Sequence, residues 1–137
     1  MTNEQLMELA VTTRQKAYVP ISHFKVGAAV LCESGNIYTG CNIEDITGIG
    51  VTNICGERNA FLKLIEKRDF KPVKIAIAGG KNELIKCMPC GVCRQYMYPF
   101  NKNLIIIVEE NQKLLEYKLS DLLKDGFYIE IGEKDES

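Results

Sequence analysis

The spacing of hydrophobic and polar positions changes several times along this chain, and each change marks an element. Leu6, Leu9, Ala10, Thr13 and Ala17 recur at helical intervals, with Thr2 or Asn3 placed to cap the start, so the opening segment reads as an amphipathic helix. Pro20 ends it, because the residue before a proline is pushed toward extended geometry. Val26, Ala28 and Val30 alternate within 24–32 as a strand does. Glu33-Ser34-Gly35-Asn36 is turn chemistry, and 37–42 returns as the second strand of a hairpin. A loop rich in Gly and Thr over 43–54 leads into a helix over 55–67, with Ala60, Phe61, Leu64 and Ile65 inward. A short apolar strand over 73–78 runs into Gly79-Gly80. Pro89 then opens a helix over 90–98, since proline is tolerated in a helix's first turn. The rest predicts a buried strand over 104–108, a more exposed strand over 113–118, a short helix over 120–124 stopped by Gly126, and an extended segment over 127–131.

The order α-β-β-α-β-α-β-β-α, with no repeat and no linker, predicts an α/β fold: one mixed sheet of about five strands with helices on both faces. The expected unit is a single domain over 1–132, with a frayed tail over 133–137. Two of the helices begin at cysteines, which would bring those residues to one end of the sheet, where open α/β sheets usually bind ligands.

Composition narrows the function. Hydrophobic residues make up 46% of the 137 and charged residues 26%, enough for a real core. Lys+Arg is 17 against Asp+Glu 18 with no basic stripe, which disfavours a nucleic acid polymer and suits a small, weakly charged ligand. The N-terminus carries acidic and amide residues where a secretory signal needs a basic start and an apolar run. The longest apolar stretch, 104–108, is far too short to span a bilayer, so no membrane partner and a cytoplasmic location are expected.

Six cysteines then need an explanation: Cys32, Cys41, Cys55, Cys87, Cys90 and Cys93. In a reducing compartment, clustered cysteines signal metal or catalysis more often than disulfides. Cys55-Gly56-Glu57 opens one helix and Pro89-Cys90-Gly91-Val92-Cys93 another. Helix N-termini carry partial positive charge, which favours the thiolate that binds metal. Three cysteines would fill three corners of a zinc tetrahedron and leave the fourth for water. Glu57 lies close enough in sequence to take the proton of a metal-acidified water without being a ligand. Three thiolates leave excess negative charge on zinc, and Arg58 or Arg94, each next to a ligand segment, is placed to offset it.

A ligand, one residue, a Glu and a distant Pro-Cys-x-x-Cys is the recognised signature of zinc deaminases. The chain resembles the small, homotetrameric-type cytidine deaminases over most of its length. The resemblance runs through Ala17 to Ala29, through Thr39-Gly40-Cys41-Asn42-Ile43-Glu44, through both metal segments, and more weakly through Leu122-Leu123-Lys124-Asp125-Gly126-Phe127. It implies the three-layer sandwich of that family, a zinc cofactor on Cys55, Cys90 and Cys93, and Glu57 as proton shuttle. By the same resemblance Asn42 and Glu44 hold the ribose hydroxyls and Phe24 packs against the base. Gly56 lines the substrate site, Arg58 bonds to ligand sulfurs, and Phe127 completes a pocket between subunits of a homotetramer. The implied reaction is hydrolytic deamination of cytidine or deoxycytidine.

Departures keep other readings open. The loop between Asn42 and Cys55 is longer than usual for the family, and its Thr47-Gly48-Ile49-Gly50 resembles blasticidin-S deaminases. Arg58 argues against that relative, which usually has an apolar residue after the glutamate. Cys87, Cys90 and Cys93 also form a Cys-x-x-Cys-x-x-Cys run, which admits a non-enzymatic module with a four-cysteine structural zinc. Cys32 and Cys41 read as small buried apolar residues and His23 as surface. Without the resemblance, Asn42 and Glu44 are ordinary strand-end polar groups, and Arg94 and Gln95 solvent-facing ones. Phe24 is either core or pocket wall, and Phe127 serves its own core or a neighbour's site.

Overall fold

The computed structural model describes residues 1–127. Five strands form one sheet in the order β2-β1-β3-β4-β5: β1 (Lys25–Cys32), β2 (Ile37–Cys41), β3 (Pro72–Gly80), β4 (Ile105–Glu110) and β5 (Lys113–Lys118). β1 is antiparallel to β2 and to β3, β3 is parallel to β4, and β5 returns antiparallel on β4. The hairpin turn between β1 and β2 places Gly35 at φ +93°, a conformation that L side chains rarely adopt.

Four helices cover both faces, as expected: α1 (Asn3–Arg14), α2 (Gly56–Glu66), α3 (Gly91–Met97) and the short α4 (Leu119–Leu122). Strand alternation sorts the core into two layers. Ala28, Val30, Ile75, Ile77, Ile106 and Val108 meet Phe61, Leu64, Met97 and Leu119 from α2, α3 and α4. Ala29, Ala76, Ala78 and Ile107 meet Leu6, Met7 and Ala10 from α1. Cover on both faces explains why β4 reads as an unbroken apolar run. Two glycines let helices sit close: a Cβ at Gly27 would lie 2.1 Å from Ala10 O, and one at Gly40 would lie 2.4 Å from Ala60 N.

The first helix differs from expectation in its inward face. Thr2 caps it, with a reciprocal capping box to Gln5, but the helix ends at Arg14, before Ala17. Leu6, Met7, Ala10 and Arg14 are buried, whereas Leu9 is exposed and Thr13 half-buried. The Arg14 guanidinium is drawn in by carbonyls, donating from Nη2 to Gly80 O (2.7 Å) and from Nε to Lys25 O (3.3 Å). Pro89 precedes the cap residue Cys90 rather than occupying the first turn of α3, and α4 starts one residue earlier than its pattern suggested. Phe127 is in no strand; the remainder of the extended segment expected over 127–131, and the tail over 133–137, lie outside the described residues. Among the described residues no helix is long and apolar enough to cross a membrane.

Candidate active site

The C-terminal ends of β2, β3 and β4 and the N-terminal end of β1 share one end of the sheet. Cys55 is the N-cap of α2 and Cys90 the N-cap of α3, so the two helices aim their unpaired N–H groups at the same place. Cys93 follows one turn into α3. The sulfurs of Cys55, Cys90 and Cys93 all lie within 4.8 Å of one another, with Cys93 buried, Cys55 half-buried and Cys90 exposed.

The thiols are prepared for a cation. Cys55 is held down to about 5, first by the hydrogen bond from Cys93 and then by Arg58, against the opposing effect of burial. Cys93 is pushed up by donating that same hydrogen bond. Three sulfurs this close together suit a soft divalent ion, whose binding displaces thiol protons. Arg58 Nη2 lies 3.6 Å from Cys55 Sγ and donates to Asn53 O at 3.0 Å, while its Nε is buried without a partner. Arg94 does not share this role. Its Nε donates to Pro89 O (2.8 Å) and its Nη1 to Leu122 O (3.1 Å), tying α3 to the loop before it and to the end of α4.

Glu57 occupies the first turn of α2, only 4% exposed. Its carboxyl is pushed up to about 7, mainly by burial and further by the Cys55 charge, with Arg58 opposing. A carboxyl poised near neutrality can both accept and return a proton. Gly56 is buried beside it, and a Cβ there would stand 3.3 Å from Gly40 O and from Val26 O, so alanine would be tight.

Asn42 and Glu44 leave β2 toward the same end and are already engaged. Asn42 Oδ1 accepts from Val26 N and its Nδ2 donates to Phe24 O, both at 2.9 Å. Glu44 Oε1 accepts from the backbone N–H groups of Ile21 (2.9 Å) and Ser22 (3.1 Å). Each retains a hydrogen-bonding group for a ligand. Phe24 is half-buried against the core and also lines a cavity of about 520 Å³ with Lys81, Asn82, Glu83 and Ile85. His23 is exposed, Cys32 is buried and Cys41 half-buried. Cys87 does not join the sulfur cluster, which removes the four-cysteine site from the described geometry.

The loop over 45–53 is built rather than slack. Asp45 accepts from Thr47 N (2.7 Å), Thr47 Oγ1 and Ile49 N (2.9 Å), and Asn53 Oδ1 accepts from Asp45 N (2.6 Å). Ile46, Ile49 and Val51 stand exposed on it, Val51 by 85%. Gln95 is not idle: it exchanges two hydrogen bonds with the backbone of Phe127 (2.7 and 2.9 Å), a residue that stays 67% exposed. These side chains therefore do not tuck into their own core. Sequence reasoning missed Asn53, which locks the loop and holds Arg58, and Ser22, which helps fix Glu44. Nothing in residue type or spacing marks either.

The family model for the cytidine and deoxycytidylate deaminase zinc-binding region matches residues 1–109. A cytidine deaminase from Sporosarcina psychrophila is 37% identical over 131 residues, covering 93% of this chain and 92% of that one. The crystal structure of cytidine deaminase from Burkholderia pseudomallei superposes with a TM-score of 0.83 at 34% identity, over 93% of this chain and 100% of its own. That of Mycobacterium tuberculosis cytidine deaminase gives 0.78 at 30%, over 93% and 98%. With sequence, fold and sulfur cluster in agreement, the chain belongs to the cytidine and deoxycytidylate deaminase family of zinc-dependent hydrolases.

Proposed function

We propose that this protein, as one deaminase domain over 1–132, hydrolyses the exocyclic amine of cytidine and deoxycytidine, giving the uridine nucleoside and ammonia. The observation that carries the reading is the three-sulfur cluster with the buried Glu57 carboxyl on the same helix N-terminus. Cys55, Cys90 and Cys93 would hold zinc; the donor set and the Arg58 guanidinium beside Cys55 Sγ fit it. Bound zinc supplies the Lewis acid that lets water lose a proton near neutral pH. Glu57 would take one proton from the attacking water and deliver it to the ring nitrogen as the water oxygen bonds to the base carbon. It would then carry that oxygen's second proton to the amine, which leaves as ammonia as the carbon–oxygen double bond forms. The free amide hydrogen of Asn42 and the free carboxylate oxygen of Glu44 take the ribose hydroxyls. Phe24 packs against the base, and the N–H of Gly56, unpaired in the first turn of α2, is assigned to the base carbonyl.

The assembly we favour is a homotetramer in the cytoplasm. Ile46, Ile49 and Val51 on a locked loop, and Phe127 clamped by Gln95, are too apolar for idle surface. All six cysteines are unpaired, which suits a reducing compartment.

The test is zinc content measured together with ammonia release from cytidine, deoxycytidine, cytosine and blasticidin S. About one zinc per chain is expected. Cytidine and deoxycytidine should turn over well and cytosine far less, because a site built for hydroxyls penalises ligands without them. A metal-free protein, or equal turnover of cytosine, overturns the reading; preference for blasticidin S would reassign the longer 45–53 loop.

A further inference from the structure

The sequence presents a fourth cysteine in a position to spoil the site. Cys87 is three residues before Cys90, on the irregular stretch between β3 and α3. A zinc held by four cysteines is closed and structural, whereas hydrolysis needs one position left for water. Cys87 belongs to the same buried core cluster as Cys93, with Cys55 packed against that cluster. Its thiol is pushed up to about 12, chiefly by burial and then by the charges of Glu57, Cys55 and Cys90. Its sulfur nevertheless stays outside the cluster of three.

The reason lies in β3. Gly79 sits within that strand on the face that carries Ile75 and Ile77, toward α2 and α3. Its backbone does not call for glycine: the positive-φ glycines are Gly35, Gly48 and Gly80. What the position lacks is space for a side chain. A Cβ on Gly79 would stand 2.5 Å from Cys87 Sγ, 2.8 Å from Cys87 Cβ and 3.2 Å from Phe24 Cε1. The Cys87 sulfur fills the notch that the missing Cβ leaves, and the Ile85 N–H to Gly79 O bond (2.9 Å) seats the incoming loop on the same residue.

We propose that Gly79 is a positioning residue: its notch in β3 holds the Cys87 sulfur aside and so keeps a fourth thiol from closing the metal site. The proposal rests on the assignment of Cys55, Cys90 and Cys93 as ligands. Gly79→Ala expels the sulfur toward the cluster, where it competes for the open position.

Cobalt(II) in place of zinc reads this directly, because the near-ultraviolet thiolate-to-cobalt band grows with the number of thiolates. Gly79→Ala should raise that band by about one third, from three thiolates to four, and lower turnover by about tenfold or more. Adding Cys87→Ala to Gly79→Ala should return the band to the parent's intensity and restore turnover. An unchanged band in Gly79→Ala, or a double variant that stays inactive, overturns the proposal.

A measurement on the parent does not depend on how Gly79→Ala folds. After chelation and alkylation, peptide mapping should find the exposed Cys90 labelled and Cys87 protected by its notch. Cys87 reacting as fast as Cys90 would show that no notch holds its sulfur and would overturn the inference. A parent that binds no cobalt would count against the proposed function instead, and protection of Cys87 would still report the notch.

Discussion

Replacing Glu57 by Gln separates the chemistry from the metal. The glutamine has the same shape in a site that is 4% exposed, and it removes a carboxyl whose charged form burial already disfavours. Folding should therefore be retained, with a melting temperature no lower than the parent's. Zinc should also be retained, because Glu57 is outside the set of sulfurs. What the amide cannot do is accept and return a proton. A positioned acid–base group contributes about 10²–10⁴-fold. Glu57 is assigned more than one transfer in the cycle, so the upper end applies: a loss of about 10⁴-fold, or about 5 kcal/mol in the barrier. The assay is ammonia release from cytidine, with zinc content and thermal unfolding measured on the same samples. A Glu57→Gln enzyme with full zinc that keeps more than about a tenth of parental turnover would refute the proton-shuttle role. Loss of zinc in that variant would refute the assignment of Glu57 as a non-ligand.

Three further outcomes test the frame around the site. Phe61 is fully buried, with its ring 5.3 Å from that of Phe100 and 6.4 Å from that of Tyr96, so Phe61→Ala should cost about 3–5 kcal/mol in urea unfolding; a cost near zero would refute this packing. Partial burial works to raise the Asp69 carboxyl, but hydrogen bonds from Ser34, Tyr38 and Asn36 hold it below 3.8. Its contribution is therefore present above that ordinary value and fades as pH falls through the folded-state value. The gap in urea midpoint between parent and Asp69→Ala should narrow in acid, and one that widens there contradicts the assignment. Val51→Asp, at the most exposed apolar position of the loop, should shift the sedimenting species to a smaller size; an active monomeric parent at micromolar concentration would sink both the oligomer and the shared pocket.

The sequence by itself determined the elements and the candidate reacting groups, because both are encoded over short distances. Alternation marks β1, turn residues mark the return into β2, Thr2 or Asn3 marks the start of α1, and Cys55, Glu57, Cys90 and Cys93 stand out as candidate reacting groups by residue type at helix starts. Chain-local signals of this kind survive without knowledge of what packs where. Tertiary structure decided which faces and partners win. Met7 and Arg14 turn inward because the seat of α1 is shaped by Gly27 of β1 and by carbonyls at Lys25 and Gly80, remote in sequence from the helix. Arg94 and Gln95 bind Leu122 and Phe127, 28 and 32 positions away, and residue spacing does not reveal those partners. Cys87 carries the same ligand spacing as Cys90 and Cys93. It is kept out of the cluster by a missing methyl group on a neighbouring strand, an exclusion by volume that residue spacing does not record.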